Sequence, residues 1–221
     1  MVPKATMNFL EGLKANNSRE WFNDNKSSYL AALKDYEEML ARIISSVGIF
    51  DDEVVGLKAK ETIFRIYRDV RFSNDKSPYK IHFGAFVAPG GRKSASGGYY
   101  VHIEPQGSML AGGAWRPEAS NLKKIRKAID LYQEEFLEIV SDKEFRRWFD
   151  DLSTEDTLVR VPAGFDADSP VAKYLKLKSF TVGHGFSDKE IMSSDFEEKV
   201  VAGCRAMYRF NKFLYEAVED K

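Results

Sequence analysis

The sequence predicts an α+β fold, an antiparallel β-sheet meander with helices packed against it. Three observations predict it. Apolar residues recur at helical spacing from about residue 17 to 48 and again beyond Pro117. Between about Glu61 and Trp115 the spacing changes to period two. The connections inside that middle stretch are too short for helical crossovers, which leaves antiparallel pairing.

A short helix is expected around Met7 to Lys14. Asn17-Ser18-Arg19-Glu20 then reads as a helix start, with Asn17 as cap and Glu20 as its box partner. Phe22, Tyr29, Leu33, Tyr36, Leu40, Ile43 and Val47 mark one face of the long helix that follows, and Gly48 stops it. The β-branched and aromatic run Thr62–Tyr67 reads as extended. From Tyr79 to Val87 the odd positions Tyr79, Ile81, Phe83, Ala85 and Val87 share a face, as do Tyr99, Val101 and Ile103 in the stretch 98–104. Pro89 to Gly98 is turn material, and a strand from Ser108 to Trp115 carries the Gly112-Gly113 pair.

Beyond Pro117, Leu122, Ile125, Ile129, Tyr132, Phe136 and Ile139 are in helical register, and Phe145, Trp148 and Phe149 suggest a small helix. Strands are expected at Thr157–Val161 and Ser179–Val182. Ser187-Asp-Lys-Glu190 is a capping box, and a last helix is expected from about Ser194 to Val218. With no repeat and no Pro-, Gly- or Ser-rich linker, residues 1–221 are expected to form a single domain. It would be helical to about 50, a sheet from about 61 to 115, and mainly helical from about 117.

Hydrophobic residues make up 43% of the chain and aromatics 13%, with 16 Phe and 10 Tyr, enough to bury a large core. Basic and acidic residues nearly cancel, 33 against 34, for a formal net charge of -1. That balance argues against nucleic acid as the dominant partner and makes any anion site a local feature. The single cysteine, Cys204, precludes an intrachain disulfide and suits a reducing compartment. No apolar run reaches the roughly 18 residues of a spanning helix, and the first residues lack a signal-peptide core. The chain therefore reads as soluble and cytoplasmic, with no membrane partner.

The densest chemistry lies from Arg65 to Lys80. Between Lys60 and Lys80 stand six basic residues (Lys60, Arg65, Arg68, Arg71, Lys76, Lys80) against three acidic ones (Glu61, Asp69, Asp75). Ser73-Asn74-Asp75 and Pro78 favour a turn that gathers Arg68, Arg71 and Lys76. Guanidinium forks and a lysine point charge suit phosphate or carboxylate. Asp69 and Asp75 also suit a structural network with the same arginines.

This segment resembles the signature of a family of uncharacterised proteins, a domain of unknown function. Arg65, Arg68-Asp69, Arg71-Phe72, Asp75-Lys76 and Tyr79 fit its pattern of arginines, an RD pair, RF, then Asp or Asn with Lys, and a Tyr. Similar stretches extend over Asn16 to Lys26 and from Gly98 through Pro105 to Gly112-Gly113. The resemblance covers most of the chain and implies no activity or cofactor.

If the odd residues face the core, Lys80, His82, Gly84 and Phe86 share the opposite face with Tyr100, His102 and Glu104. His82 then lies near His102 or Glu104. Two imidazoles and a carboxylate suit a divalent metal, and a His–Glu pair suits proton transfer, as a partly solvated sheet face also would. No HxxxH, HExxH or aspartate cluster marks a metal site, so no metal ligand is assigned. His184, between glycines, reads as a loop residue.

Lys123, Lys124, Arg126 and Lys127 near the start of a helix oppose its macrodipole; either they simply face water or the helix starts elsewhere, or an anion or acidic surface lies there and groups Arg126 with the turn's arginines. Phosphate-cradle and nucleophile-elbow motifs are absent, and Cys204 falls in a helical pattern as a packed thiol. Two functional readings stand. In the first, Arg65, Arg68, Arg71, Asp75, Lys76, Lys80 and Arg126 hold a small phosphate- or carboxylate-bearing ligand, and in a catalytic version Asp69, Tyr79 or His102 handles protons. In the second, the charged turn is the hub of a non-catalytic module that meets protein or nucleic acid, with Arg and Lys alternating with Tyr and Phe as in stacking platforms.

Overall fold

The computed structural model describes residues 1–219 and is α+β. The elements run α1 (Lys4–Ala15), α2 (Arg19–Asp24), α3 (Lys26–Val47), α4 (Ala59–Thr62), β1 (Phe83–Val87), β2 (Gly98–Ile103) and β3 (Met109–Ala114). Then come α5 (Ala119–Leu131), α6 (Gln133–Ser141), α7 (Lys143–Trp148), α8 (Ala172–Leu175), β4 (Phe180–Gly185), α9 (Asp188–Ile191) and α10 (Phe196–Glu219). The four strands pair antiparallel in the order β1-β2-β3-β4. By contacts the chain divides into two compact units. The first comprises Met1–Arg92, Tyr100–Leu110 and Gly185–Ala202; the second comprises Lys93–Tyr99, Ala111–His184 and Gly203–Lys221.

In the first unit α3 presents Tyr36, Met39, Leu40, Ile43 and Val47, all buried, against Leu10 and Leu13 of α1 and Phe83 of β1. The Tyr36 hydroxyl donates to the Val101 carbonyl at 2.8 Å, so this large aromatic is buried with its polar end satisfied. The long helix expected from Asn17 is two helices. Ser18, not Asn17, caps α2 by accepting from the Trp21 N–H, and Asn25 separates α2 from α3. Asn17 is diverted elsewhere: its side-chain amide donates to the Tyr79 carbonyl at 3.0 Å and accepts the Tyr79 N–H at 3.1 Å.

The extended run expected from Thr62 to Tyr67 starts as a helical turn, because the Thr62 hydroxyl closes onto the Ala59 carbonyl at 2.6 Å. Beyond it, residues 63–68 run against 78–85 as a broken ladder. Bridges join Ile63 to Ala85 and Tyr67 to Tyr79, and Lys80 N–H donates to the Ile66 carbonyl at 2.8 Å. The charged turn closes this ladder.

The second unit is packed by Ile125, Ile129, Phe136, Phe145, Phe180, Met207, Phe210 and Leu214. The helical register beyond Pro117 is divided at Tyr132, whose backbone leaves the helix between α5 and α6. Gly113 adopts φ +104, and a Cβ there would collide with the Phe180 carbonyl oxygen on β4. Glycine is therefore what lets these strands close. Of the two late strands expected, one is β4, while Thr157 makes only a bridge to Leu177. Cys204 is buried. Among the described residues no helix is long and apolar enough to cross a membrane.

Candidate functional site

The charged turn satisfies itself. Arg71 forks onto Asp69, with Nε to Oδ1 at 3.0 Å and Nη2 to Oδ2 at 2.7 Å. Arg68 pairs with Asp75, which also accepts the Ser77 N–H and hydroxyl at 2.9 and 2.6 Å. Lys76 Nζ donates to the Val70 carbonyl at 3.0 Å. Asp75 is held well below the usual carboxylate range, first by Ser77 and then by Arg68; Arg71 lowers the pKa of Asp69. Asp69 is thus a fixed counter-ion on an exposed turn. Phe72 stands out from it, 95% exposed, with the Arg71 guanidinium 5.9 Å from its ring centroid.

Tyr79 sits below the turn in an aromatic stack. Its ring lies 4.0 Å from Phe22 at an interplanar angle of 12°, and burial pushes its phenol up, helped by Tyr67. The double hydrogen bond from Asn17 fixes its backbone. Asn17 and Tyr79 together set the point where the chain enters the stretch that carries Lys80 and His82.

That stretch and β2 build a second polar cluster. His102 lies near the end of β2 and Glu104 just beyond it, and their side chains meet on one side of the chain. His102 Nε2 and Glu104 Oε2 are 2.9 Å apart, and His102 Nδ1 lies 3.0 Å from the Tyr100 hydroxyl. The His82 ring lies 4.2 Å from that of His102, and its Nδ1 is 3.8 Å from Glu104 Oε2. Burial pushes His82 down to about 4, with help from His102 and Lys80, so its imidazole is neutral at pH 7. Burial, and then the Glu104 carboxylate, pushes the Tyr100 phenol up to about 12. Two small residues make the cluster fit. A Cβ on Gly84 would come within 2.6 Å of the Tyr100 hydroxyl, and Ser108 both accepts the Glu104 N–H at 3.0 Å and donates to its carbonyl at 2.9 Å.

Lys80 borders the cluster. Its Nζ is 5.3 Å from the Phe64 ring centroid, and Phe64 lies 6.3 Å from Tyr100. Burial and the nearby Arg65 lower the Lys80 pKa. Neither Lys80 nor Arg65 makes an ion pair among the described residues.

Of the three residues expected to handle protons, His102 alone stands in a convergent polar cluster. Arg126 belongs to the second unit, where it is 9% exposed and donates from Nη2 to the Leu177 carbonyl at 2.7 Å. Its Nε has no hydrogen-bond partner among the described residues. Lys124 from the same helix reaches the Val218 carbonyl at 3.1 Å. The cations set against the dipole of α5 thus include two that hold carbonyls of their own unit. Tyr100, Gly84 and Ser108 were not singled out as site residues. Alternation placed Tyr100 and Gly84 on the polar face, but nothing local signalled the hydroxyl's bond to Nδ1.

A family model described as "Conserved hypothetical protein (DUF2461)" matches residues 5–213. No curated protein and no solved structure matches the chain.

Proposed function

The chain belongs to the DUF2461 family of conserved hypothetical proteins, whose function is unknown, and from that premise we propose that it binds a small phosphate- or carboxylate-bearing molecule on the polar face beside His102. Lys80 and Arg65 are the anchoring cations, and His102 with Glu104 is the reactive pair beside them. The observation that carries this reading is the state of Lys80. It is half-buried, its charge is disfavoured by burial and by Arg65, and it has no carboxylate partner among the described residues. A bound anion would relieve that cost, whereas Arg68 and Arg71 already have Asp75 and Asp69. The anion site is therefore displaced from the tip of the turn to its base.

Thermal-shift and calorimetric titration with inorganic phosphate, phosphomonoesters and dicarboxylates tests this. One class should raise the melting temperature by mass action. Lys80→Gln should weaken it about tenfold, ~1.4 kcal/mol, and Arg68→Ala should leave it within about twofold. No binding by any class, or equal loss in both variants, contradicts the reading.

One observation favours a second reading, a non-catalytic module whose turn meets a macromolecule. Phe72 projects almost fully exposed beside Arg71. If that is its role, Phe72→Ala abolishes capture of the partner while leaving phosphate binding intact.

A further inference from the structure

We propose that His82 Nδ1, His102 Nε2 and Glu104 Oε2 form a binding site for a divalent transition metal of the zinc type. One ligand atom from each of the three residues lies within 4.8 Å of the other two. At metal–ligand bonds of about 2.0–2.2 Å, tetrahedral ligands are roughly 3.3–3.6 Å apart. The 2.9 Å and 3.8 Å separations of His102 and His82 from Glu104 bracket that range, so small side-chain rotations close the set. Two imidazoles and one carboxylate are a donor set that zinc and its neighbours prefer to magnesium or calcium, which want oxygen.

The surroundings are those a metal-binding histidine requires. Such a histidine fixes its ring by a hydrogen bond from the nitrogen that does not face the ion. His102 has that partner in the Tyr100 hydroxyl, 3.0 Å from Nδ1. On metal binding Nε2 gives up its proton contact with Glu104, the imidazole takes the Nδ1–H tautomer, and Tyr100 accepts from it. Gly84 leaves the space in which the Tyr100 hydroxyl lies, and Ser108 pins the Glu104 backbone from both sides. His102 is nearly buried, while the His82 and Glu104 side chains keep 25% and 23% of their surface. Three protein ligands with a solvent-facing side are the pattern of a catalytic rather than a closed structural site. The fourth position would then take the anionic ligand beside Lys80, and this last point alone rests on the anion reading above.

The test is calorimetric titration of the chelator-treated full chain with Zn(II), repeated with Co(II) to read coordination from its visible absorption. One equivalent should bind, with cobalt bands of a mixed nitrogen and oxygen field. His82→Ala and His102→Ala should each weaken binding by at least ~100-fold, and Tyr100→Phe by ~10–100-fold. Glu104→Gln keeps an acceptor for His102 and hence the fold, and should still lose affinity. Lys80→Gln should keep the metal and lose phosphate, which separates failure of this site from failure of the anion reading. The inference is overturned if the wild-type chain binds no Zn(II) at micromolar concentration. It is equally overturned if His82→Ala and His102→Ala, folded by circular dichroism, bind as the wild type and a His184→Ala control do.

Discussion

Asn17 holds Tyr79 by both of its backbone polar groups, accepting its N–H at 3.1 Å and donating to its carbonyl at 3.0 Å. A side-chain amide thereby takes the place of a strand partner just where the chain turns towards Lys80 and His82. Asn17→Ala strands two partly buried backbone groups and is expected to cost ~1–3 kcal/mol in urea unfolding. A loss under ~0.5 kcal/mol would show that water replaces the amide without penalty.

The same stack assigns Tyr79 a scaffold role. Its ring covers Phe22, and the proposed anion site does not use its hydroxyl. Tyr79→Phe should leave phosphate affinity unchanged, and Tyr79→Ala should destabilise by ~3–5 kcal/mol. Loss of binding in the phenylalanine variant, with stability retained, would return Tyr79 to the list of reactive groups.

Gly84 has a steric duty. A methyl group at position 84 would come within 2.6 Å of the Tyr100 hydroxyl and push it off His102 Nδ1. Gly84→Ala should lower Zn(II) affinity to about the level of Tyr100→Phe, and the two changes should not add. Additive losses would mean that Gly84 acts through the backbone instead.

Acid stability in the first unit depends on Glu197. Arg42 forks onto it, with Nε to Oε2 at 2.7 Å and Nη2 to Oε1 at 2.9 Å, and this contact is the largest cause that lowers its pKa from 4.5 to about 2. A carboxylate with a depressed folded-state pKa stabilises above its unfolded value and loses that contribution as pH falls through the folded one. The window is therefore from about pH 4.5 down to about pH 2. Because Arg42 is largely exposed, solvent screening limits the effect to on the order of 1 kcal/mol. Urea midpoints measured across this range should fall less steeply in Glu197→Gln than in the wild type, and equal slopes would contradict the assignment.

Much of the architecture was legible because periodicity reports burial directly. Tyr36, Leu40, Ile43 and Val47 are the buried stripe of α3, and Phe83, Ala85 and Val87 are the buried face of β1. The same alternation predicts His82 near His102 or Glu104; His82 precedes β1 in a bend, and its ring lies 4.2 Å from that of His102. Longer-range competition was not legible. Asn17 reads locally as a cap, yet Ser18 takes that place and Asn17 goes to a backbone 62 residues away. Arg68 and Arg71 read either as anion ligands or as partners of Asp69 and Asp75, because sequence shows charge but does not choose the pairing, and Asp75 and Asp69 take them within the turn. Arg126 reads as one of that set because a helix's charge pattern does not reveal which residue is buried against a carbonyl.

The proposed working surface lies at Lys80, His82, His102 and Glu104 and not at the tip of the charged turn. A backbone amide NMR titration with inorganic phosphate tests it most directly. Binding at that surface gives shifts that saturate at Lys80, His82 and residues 102–104, with Arg68 to Ser77 unmoved. Saturating shifts confined to Arg68–Ser77, with the histidine face silent, would contradict it.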